Sequence, residues 1–185
     1  IYDFLRLLFA RAGEAYSYLS GERMVKYTEE KIVDMILHTY ERHKVYLLAP
    51  VVRSRKGHYK ELFESIRRKG FLSVRADGEL REITTGMKLD RYKNHDIEVV
   101  VDKLAIQAKD GERLQKSVTA TLQQGGGLMM ILDAADNSTR FYSKQLMDPI
   151  SGLSYREPAP HNFSFNSAQG ACPKCKGLGY VSVMD

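Results

Sequence analysis

A chain of 185 residues, 43% of them apolar, can bury one sizeable core or two small ones, which excludes a disordered or purely fibrous polymer. Lys and Arg outnumber Asp and Glu by 28 to 23, a formal net charge of +5, so an acidic partner such as nucleic acid or an acidic protein face is favoured. Two cysteines exclude a disulfide framework and point to a reducing, cytosolic setting, and no apolar run reaches the length of a membrane span.

The opening IYDFLRLLFARAG sets Leu5, Leu8 and Phe9, with Ile1 and Phe4, on one helical face and ends at Gly13, a natural C-cap. It has no initiator Met and no signal-peptide pattern, and the expectation is a piece of a larger protein with no membrane segment. Residues 14–27 are irregular by composition. Thr28 before Glu29 and Glu30 is an N-cap followed by acids in the first turn, and Ile32, Ile36 and Tyr40 repeat every four residues, which predicts a helix over 28–40. KVYLLAPVV then reads as a buried strand ended by a basic loop, RSRKGH. HYKELFESIRRKG puts Leu62, Phe63 and Ile66 on one helical face and stops at Gly70. FLSVRADGELREI is a hairpin, because Asp77-Gly78 tolerates the positive φ angles of a type I′ turn.

HDIEVVVDKLAI predicts another strand, with Ile97, Val99 and Val101 on one side. DGERLQKSVTATLQQGGG predicts a helix carrying Leu114, Val118 and Leu122 on one face, and LMMILDA a further strand. After Asp133 the pattern breaks down, and four of the five prolines lie at or beyond Pro149. The order α, α, β, α, β, β, β, α, β followed by an irregular module argues for a mixed α+β fold rather than a doubly wound nucleotide fold.

Motifs for chemistry are scarce. No phosphate-binding loop with its Lys is present, and the three glycines of QQGGGL read as a helix stop. No metalloprotease or serine-hydrolase motif occurs, so no catalytic residue is assigned. Two basic clusters stand out: Arg53, Arg55, Lys56 and His58, then Arg67, Arg68 and Lys69, with Arg75 and Arg81 across the hairpin. They are either solvated surface or a docking face for an acidic protein or a phosphate backbone, for which guanidinium forks are suited. Cys172 and Cys175 in GACPKCKGLG have the C-x-x-C spacing of half a zinc site, a redox pair or a chaperone-type knuckle, and the flanking glycines favour a knuckle turn.

Four stretches, IYDFLRLLFARAG, LLAPVVRSRKGHYKELFESIRRKGFLSVRADGEL, HDIEVVVDKL and NFSFNSAQGACPKCKGLG, together resemble the bacterial UvrA family, the damage-sensing subunits of the nucleotide excision repair excinuclease. The resemblance covers essentially the whole chain. It implies a dimeric ABC-type ATPase as the parent, cytoplasmic and acting on damaged double-stranded DNA, with ATP, Mg and zinc as cofactors. It implies three parts here: residues 1–13 as a helix of the first ATP-binding domain, 14–135 as the inserted UvrB-binding domain, and 136–185 as a zinc module. The piece itself would lack ATP hydrolysis and would recruit UvrB through Arg75 and Arg81 first, then Arg53, Arg55, Lys56, Arg67, Arg68 and Lys69. The alternative is that the same basic faces contact DNA.

The zinc module departs from the family pattern. The first C-P-x-C slot falls on DPIS, so Asp148 and Ser151 stand in two ligand positions, and the stretch after ARAGEA, where many members have another Cys, reads YSYLSG. Cys172 and Cys175 alone cannot close a tetrahedron, so a module without metal is expected, the alternative being zinc completed by Asp148, His161 or a neighbouring chain. Without metal, Phe163, Phe165 and Leu178 are the expected substitute core.

Overall fold

The computed structural model describes residues 1–155 and 157–181. Helix α1, Tyr2–Ala12, is followed by α2, Glu29–Thr39, whose N-cap Thr28 accepts a hydrogen bond from the Lys31 N–H. Strand β1, Lys44–Lys56, precedes α3, Lys60–Arg68, and the hairpin strands β2, Ser73–Ala76, and β3, Glu79–Glu82. Strand β4, Asn94–Ala105, leads to α4, Gly111–Gln124, then β5, Leu128–Asp133, and β6, Thr139–Ser143. The short strands β7, Leu146–Met147, and β8, Ser154–Tyr155, make a separate hairpin, and a 3₁₀ turn spans Pro160–Phe163.

One six-stranded sheet in the order β3-β2-β4-β1-β5-β6 organises the fold, and every pairing in it is antiparallel. The expected α+β class holds. Helices α2 and α4 bury Ile32, Ile36, Leu114, Val118 and Leu122 against Val45, Leu47, Met129, Ile131 and Tyr142. Further along the same face of β1, α3 buries Phe63 and Ile66 against Ala49, Val74, Ile97 and Val99. The opposite face carries a smaller cluster of Leu48, Met130 and Leu132. Alternation along β1 puts Leu47 and Ala49 on the helical side and Leu48 on the other.

Two sequence expectations change. The stretch RSRK is the end of β1, not a loop, and it continues past Pro50 because β5 pairs only with Val45–Leu48 and the register shifts beside Pro50. A proline lacking its N–H is tolerated at such an open edge or bulge. Val101 packs half-buried against the cluster that holds Ile97 and Val99, on the side expected. Leu47 pairs with Asp102 and Leu48 with Val100, so Val101 is the extra residue of a bulge and Leu104 takes over the inward side. After Asp133 the sheet continues: a turn through Asn137, at φ 58°, sends β6 back along β5. The β-turn at Asp77 and Gly78, at φ 53° and 88°, is as expected.

Phe163, Phe165 and Leu178 do not form a core of their own and remain exposed. Phe163 packs on Phe9 and Phe165 on Tyr2, with ring centroids 5.9 and 5.5 Å apart, so the C-terminal segment leans on α1. The outer side of α1 leaves Ile1, Phe4, Leu5 and Leu8 in solvent.

Candidate functional site

The β2–β3 hairpin forms one edge of the sheet, and every residue of β3 is exposed. Its two-residue turn pairs Arg75 with Leu80 and Val74 with Arg81. Val74 points into the α3 core, so Arg81 lies on the helical side and Arg75 on the other. The two arginines ranked first from the sequence therefore sit on opposite faces of one exposed edge.

Arg75 is four-fifths buried and faces Glu98 on the neighbouring strand β4, the register partner of both Arg75 and Pro50. The Arg75 guanidinium reaches Glu98 Oε2 by one long contact of 3.4 Å, and its Nε has no partner among the described residues. Burial pushes the Glu98 carboxyl up to about 7, against the pull of Arg75 and of Arg53. A buried carboxylate with incomplete hydrogen bonding favours its neutral form. Sequence reading passed over Glu98, although a lone acid inside the apolar run IEVVV was a visible signal.

The other basic residues divide by what already holds them. Arg53 is an internal clamp: it donates to the carbonyls of Ser151 and Gly152 at 2.6 and 2.7 Å and lies 5.2 Å from the centre of the Phe141 ring. Arg67 donates to Thr85 Oγ1 at 2.6 Å, and Lys69 reaches Gln124 Oε1 at 3.4 Å. Arg81 pairs with Glu79 at 2.6 Å on its own strand. Arg55 and Lys56 are exposed at the end of β1, where the Tyr59 hydroxyl donates to the Arg55 carbonyl at 2.8 Å, and Arg68 is exposed on the last turn of α3. Thus Arg53 and Arg75 flank Glu98 on one side of the sheet, while Arg81 shares the other side with α3.

His95 fixes the hairpin turn. Its Nδ1 lies 2.7 Å from Asp77 Oδ2 and its Nε2 2.7 Å from the Asp90 carbonyl. Both ring nitrogens face acceptors, so the imidazolium is favoured. The Asp90 carbonyl raises the His95 pKa, burial opposes it, and the Asp77 carboxylate adds to the rise. Nothing local in the sequence linked His95 to the turn.

The residues expected around a metal do not converge. Among the described residues, no group of three or more His, Cys, Asp or Glu side chains is placed to hold a metal ion. Cys172 and Cys175 form a knuckle turn in which Lys176 N–H donates to the Cys172 carbonyl at 2.7 Å and Gly179 N–H to Cys175 Sγ at 3.4 Å. Those backbone donors, Gly179 first and then Gly177, lower the Cys175 pKa. Asp148 is fully buried away from solvent, with Oδ2 accepting from Ser17 at 2.8 Å and Ser151 at 2.9 Å and Oδ1 from Ile150 N–H at 2.9 Å. Burial alone would raise its pKa, but these hydrogen bonds outweigh it and hold the carboxyl at about 2. Asp148 is thus engaged with hydroxyls and is not grouped with the cysteine pair.

An antiparallel sheet backed by helices, with a charged hairpin as its free edge, defines an α+β module that presents a surface. A family model described as the UvrA interaction domain matches residues 28–135. The chain belongs to that family. It is 43% identical to UvrABC system protein A of Methanothermobacter thermautotrophicus over its whole length, which is 20% of that protein. It is 41% identical to UvrABC system protein A of Bacillus subtilis, again over its whole length and 19% of the relative. With the Deinococcus radiodurans protein the identity is 38% over 97% of this chain and 18% of the relative. The chain therefore spans about a fifth of the length of the curated relatives it matches. Among the described residues no helix is long and apolar enough to cross a membrane.

Proposed function

We propose that this chain is the part of a UvrA-type repair protein that recruits UvrB, and that it does so at the β2–β3 edge. The observation that carries the assignment is the state of Arg75. Among the described residues its guanidinium has a single long hydrogen bond, and it stands beside the exposed Leu80 and the edge strand β3. An acidic group on a partner would complete it, because charge-assisted bonds to guanidinium are among the stronger polar contacts. Arg81 lies on the reverse of the same hairpin. A partner that straddles the edge meets both arginines, whereas one lying flat on the sheet meets only Arg75. Arg55, Lys56 and Arg68 are the remaining exposed cations that could form a rim, and Arg53, Arg67 and Lys69 have intramolecular duties first. In this reading ATP hydrolysis with Mg, dimerisation and contact with damaged duplex belong to the rest of the longer protein, in the cytoplasm.

A DNA-contacting role has its own support. Arg67, Arg68 and Lys69 close α3 on the side of the sheet that also carries Arg81. Titration calorimetry with purified UvrB and, separately, with a duplex decides between the two. The UvrB reading expects affinity for UvrB that falls tenfold or more in Arg75→Gln, since removing one partner of a buried pair costs about 2–5 kcal/mol, and that falls in Arg81→Glu as well when the partner straddles the edge. The DNA reading expects duplex binding whose logarithm falls with the logarithm of salt, at a slope of about 0.9 per phosphate contacted. UvrB affinity unchanged in both variants overturns the edge assignment.

A further inference from the structure

Two short hairpins meet where the chain enters and leaves the sheet. The first is closed by the Tyr16–Arg23 bridge and turns through Ser17–Ser20, and the second is β7–β8 and turns through Asp148–Ser151. Four hydrogen bonds recur in both at the same spacing, and the first turn adds one from Ser20 N–H to Ser17 Oγ at 3.4 Å. In the first, Ser17 N–H donates to the Glu22 carbonyl at 2.8 Å and Gly21 N–H to the Ser17 carbonyl at 2.9 Å. In the second, Asp148 N–H donates to the Leu153 carbonyl at 2.9 Å and Gly152 N–H to the Asp148 carbonyl at 2.9 Å. The side chains follow suit. Ser17 Oγ accepts from Leu19 N–H and Asp148 Oδ1 from Ile150 N–H, each two residues on. Ser20 Oγ accepts from Glu22 N–H and Ser151 Oγ from Leu153 N–H, again two residues on. Both turns end in a glycine at positive φ, Gly21 at 74° and Gly152 at 66°. The Cys172 turn shares the closing bond, from the residue four places on to the first carbonyl.

Two facing x-x turns of this kind place four side chains about a common centre, the layout of a four-ligand metal knuckle pair. The donor set here does not suit zinc. Three of the four side chains are neutral hydroxyls, and zinc in structural sites takes thiolate and imidazole. The hydroxyls turn instead on the one anion: Ser17 and Ser151 donate to Asp148 Oδ2, and the nearby Ser20 hydroxyl helps hold the carboxyl in its charged form.

We infer that Ser17, Ser20, Asp148 and Ser151 are an all-protein replacement for a four-ligand metal centre, with the buried carboxylate in the place of the ion and the hydroxyls in the place of its ligands. The staple joins segments 131 residues apart and is continued by the Val25–Met147 bridge. It holds the two chain crossings together, so the orientation of the sheet on whatever precedes and follows it is independent of metal.

The test uses the full chain carrying Cys172→Ser and Cys175→Ser, which removes the thiolate pair as a competing ligand. This protein should contain well under one zinc per chain by elemental analysis, and its urea midpoint should be the same with and without EDTA. Asp148→Asn in that background should raise the unfolding equilibrium constant roughly tenfold or more, because the Ser17 and Ser151 hydroxyls lose a charged acceptor. Adding S17C, S20C, D148C and S151C together should create a site that takes up one cobalt ion with the absorption of tetrahedral thiolate coordination. Stoichiometric zinc released by Asp148→Asn overturns the inference, as does an Asp148→Asn protein as stable as its parent. A folded four-cysteine variant that takes up no cobalt also overturns it. Should that variant fail to fold without metal, refolding it with cobalt present gives the same readout.

Discussion

Glu98 offers the sharpest test of how the edge of the sheet is built. In the unfolded chain its carboxyl titrates near 4.5, and within the fold burial moves it to about 7. At about 1.4 kcal/mol per pH unit, ionising Glu98 in the native state costs about 3 kcal/mol more than ionising it in the unfolded chain. A raised carboxyl pKa means that the native state holds the extra proton between these two values. Its contribution to stability is therefore complete below pH 4.5 and is lost as pH rises towards and through 7. Glu98→Gln keeps the shape and removes the titration. The difference in unfolding free energy between Glu98→Gln and wild type should thus grow by about 3 kcal/mol in favour of the variant from pH 4.5 to 8. With a urea dependence of about 2 kcal/mol per molar, the variant midpoint should gain roughly 1–2 M on wild type over that range. Taking the difference between the two proteins cancels every other titrating group, His95 included. Midpoints that track each other in parallel across the range would refute the claim that Glu98 is buried and incompletely paired, and with it the reading of Arg75 as a guanidinium with capacity to spare.

Arg53→Met should lower the urea midpoint, because it removes two charge-assisted bonds to Ser151 and Gly152 worth roughly 1.5–3 kcal/mol each before relaxation, while leaving affinity for UvrB within twofold. Gly152→Ala should destabilise by roughly 1–3 kcal/mol in thermal unfolding, since its new methyl would lie 2.4 Å from the Phe141 ring and its φ of 66° is a left-handed value that suits glycine. Val118→Ala opens a cavity between α4 and the sheet and should cost about 2–4 kcal/mol by urea denaturation. The His95 ring should titrate above its ordinary value of about 6.5 by proton NMR, with Asp77→Asn bringing the midpoint down.

Most of the fold was legible because its elements carry local signals. Thr28 caps α2, Leu114, Val118 and Leu122 mark the buried stripe of α4, and Asp77-Gly78 dictates the turn. The parts that were missed depend on partners distant in the chain. Strand β6 has only five residues and two of them are exposed, so it reads as a strand only once β5 lies beside it. The extension of β1 through Arg53 to Lys56 is set by pairing with β4, against the local cue of four polar residues. The bulge at Val101 inverts which side of β4 faces the core, and no alternation count along HDIEVVVDKLAI reveals an extra residue whose meaning lies in the opposite strand.

The candidate site divides along the same line. That Arg75 and Arg81 lie on opposite faces follows from the two-residue turn alone: counting outward from Asp77-Gly78 pairs 76 with 79, 75 with 80 and 74 with 81, and Val74 is apolar. Grouping the arginines by proximity in sequence obscured a distinction that parity contains. The role of Arg53 had no such local trace, because its acceptors are carbonyls 98 and 99 residues further on. Charge in the sequence marks where cations are, but only the fold tells which of them are already occupied. A guanidinium with two short bonds and an aromatic face under it, like Arg53, must break contacts to serve a partner. One with a single long bond, like Arg75, gains by binding. That difference, rather than the number of arginines near the edge, is what singles out a docking residue, and it is why Arg75 and Arg53 should respond oppositely when stability and partner affinity are measured in the same variant.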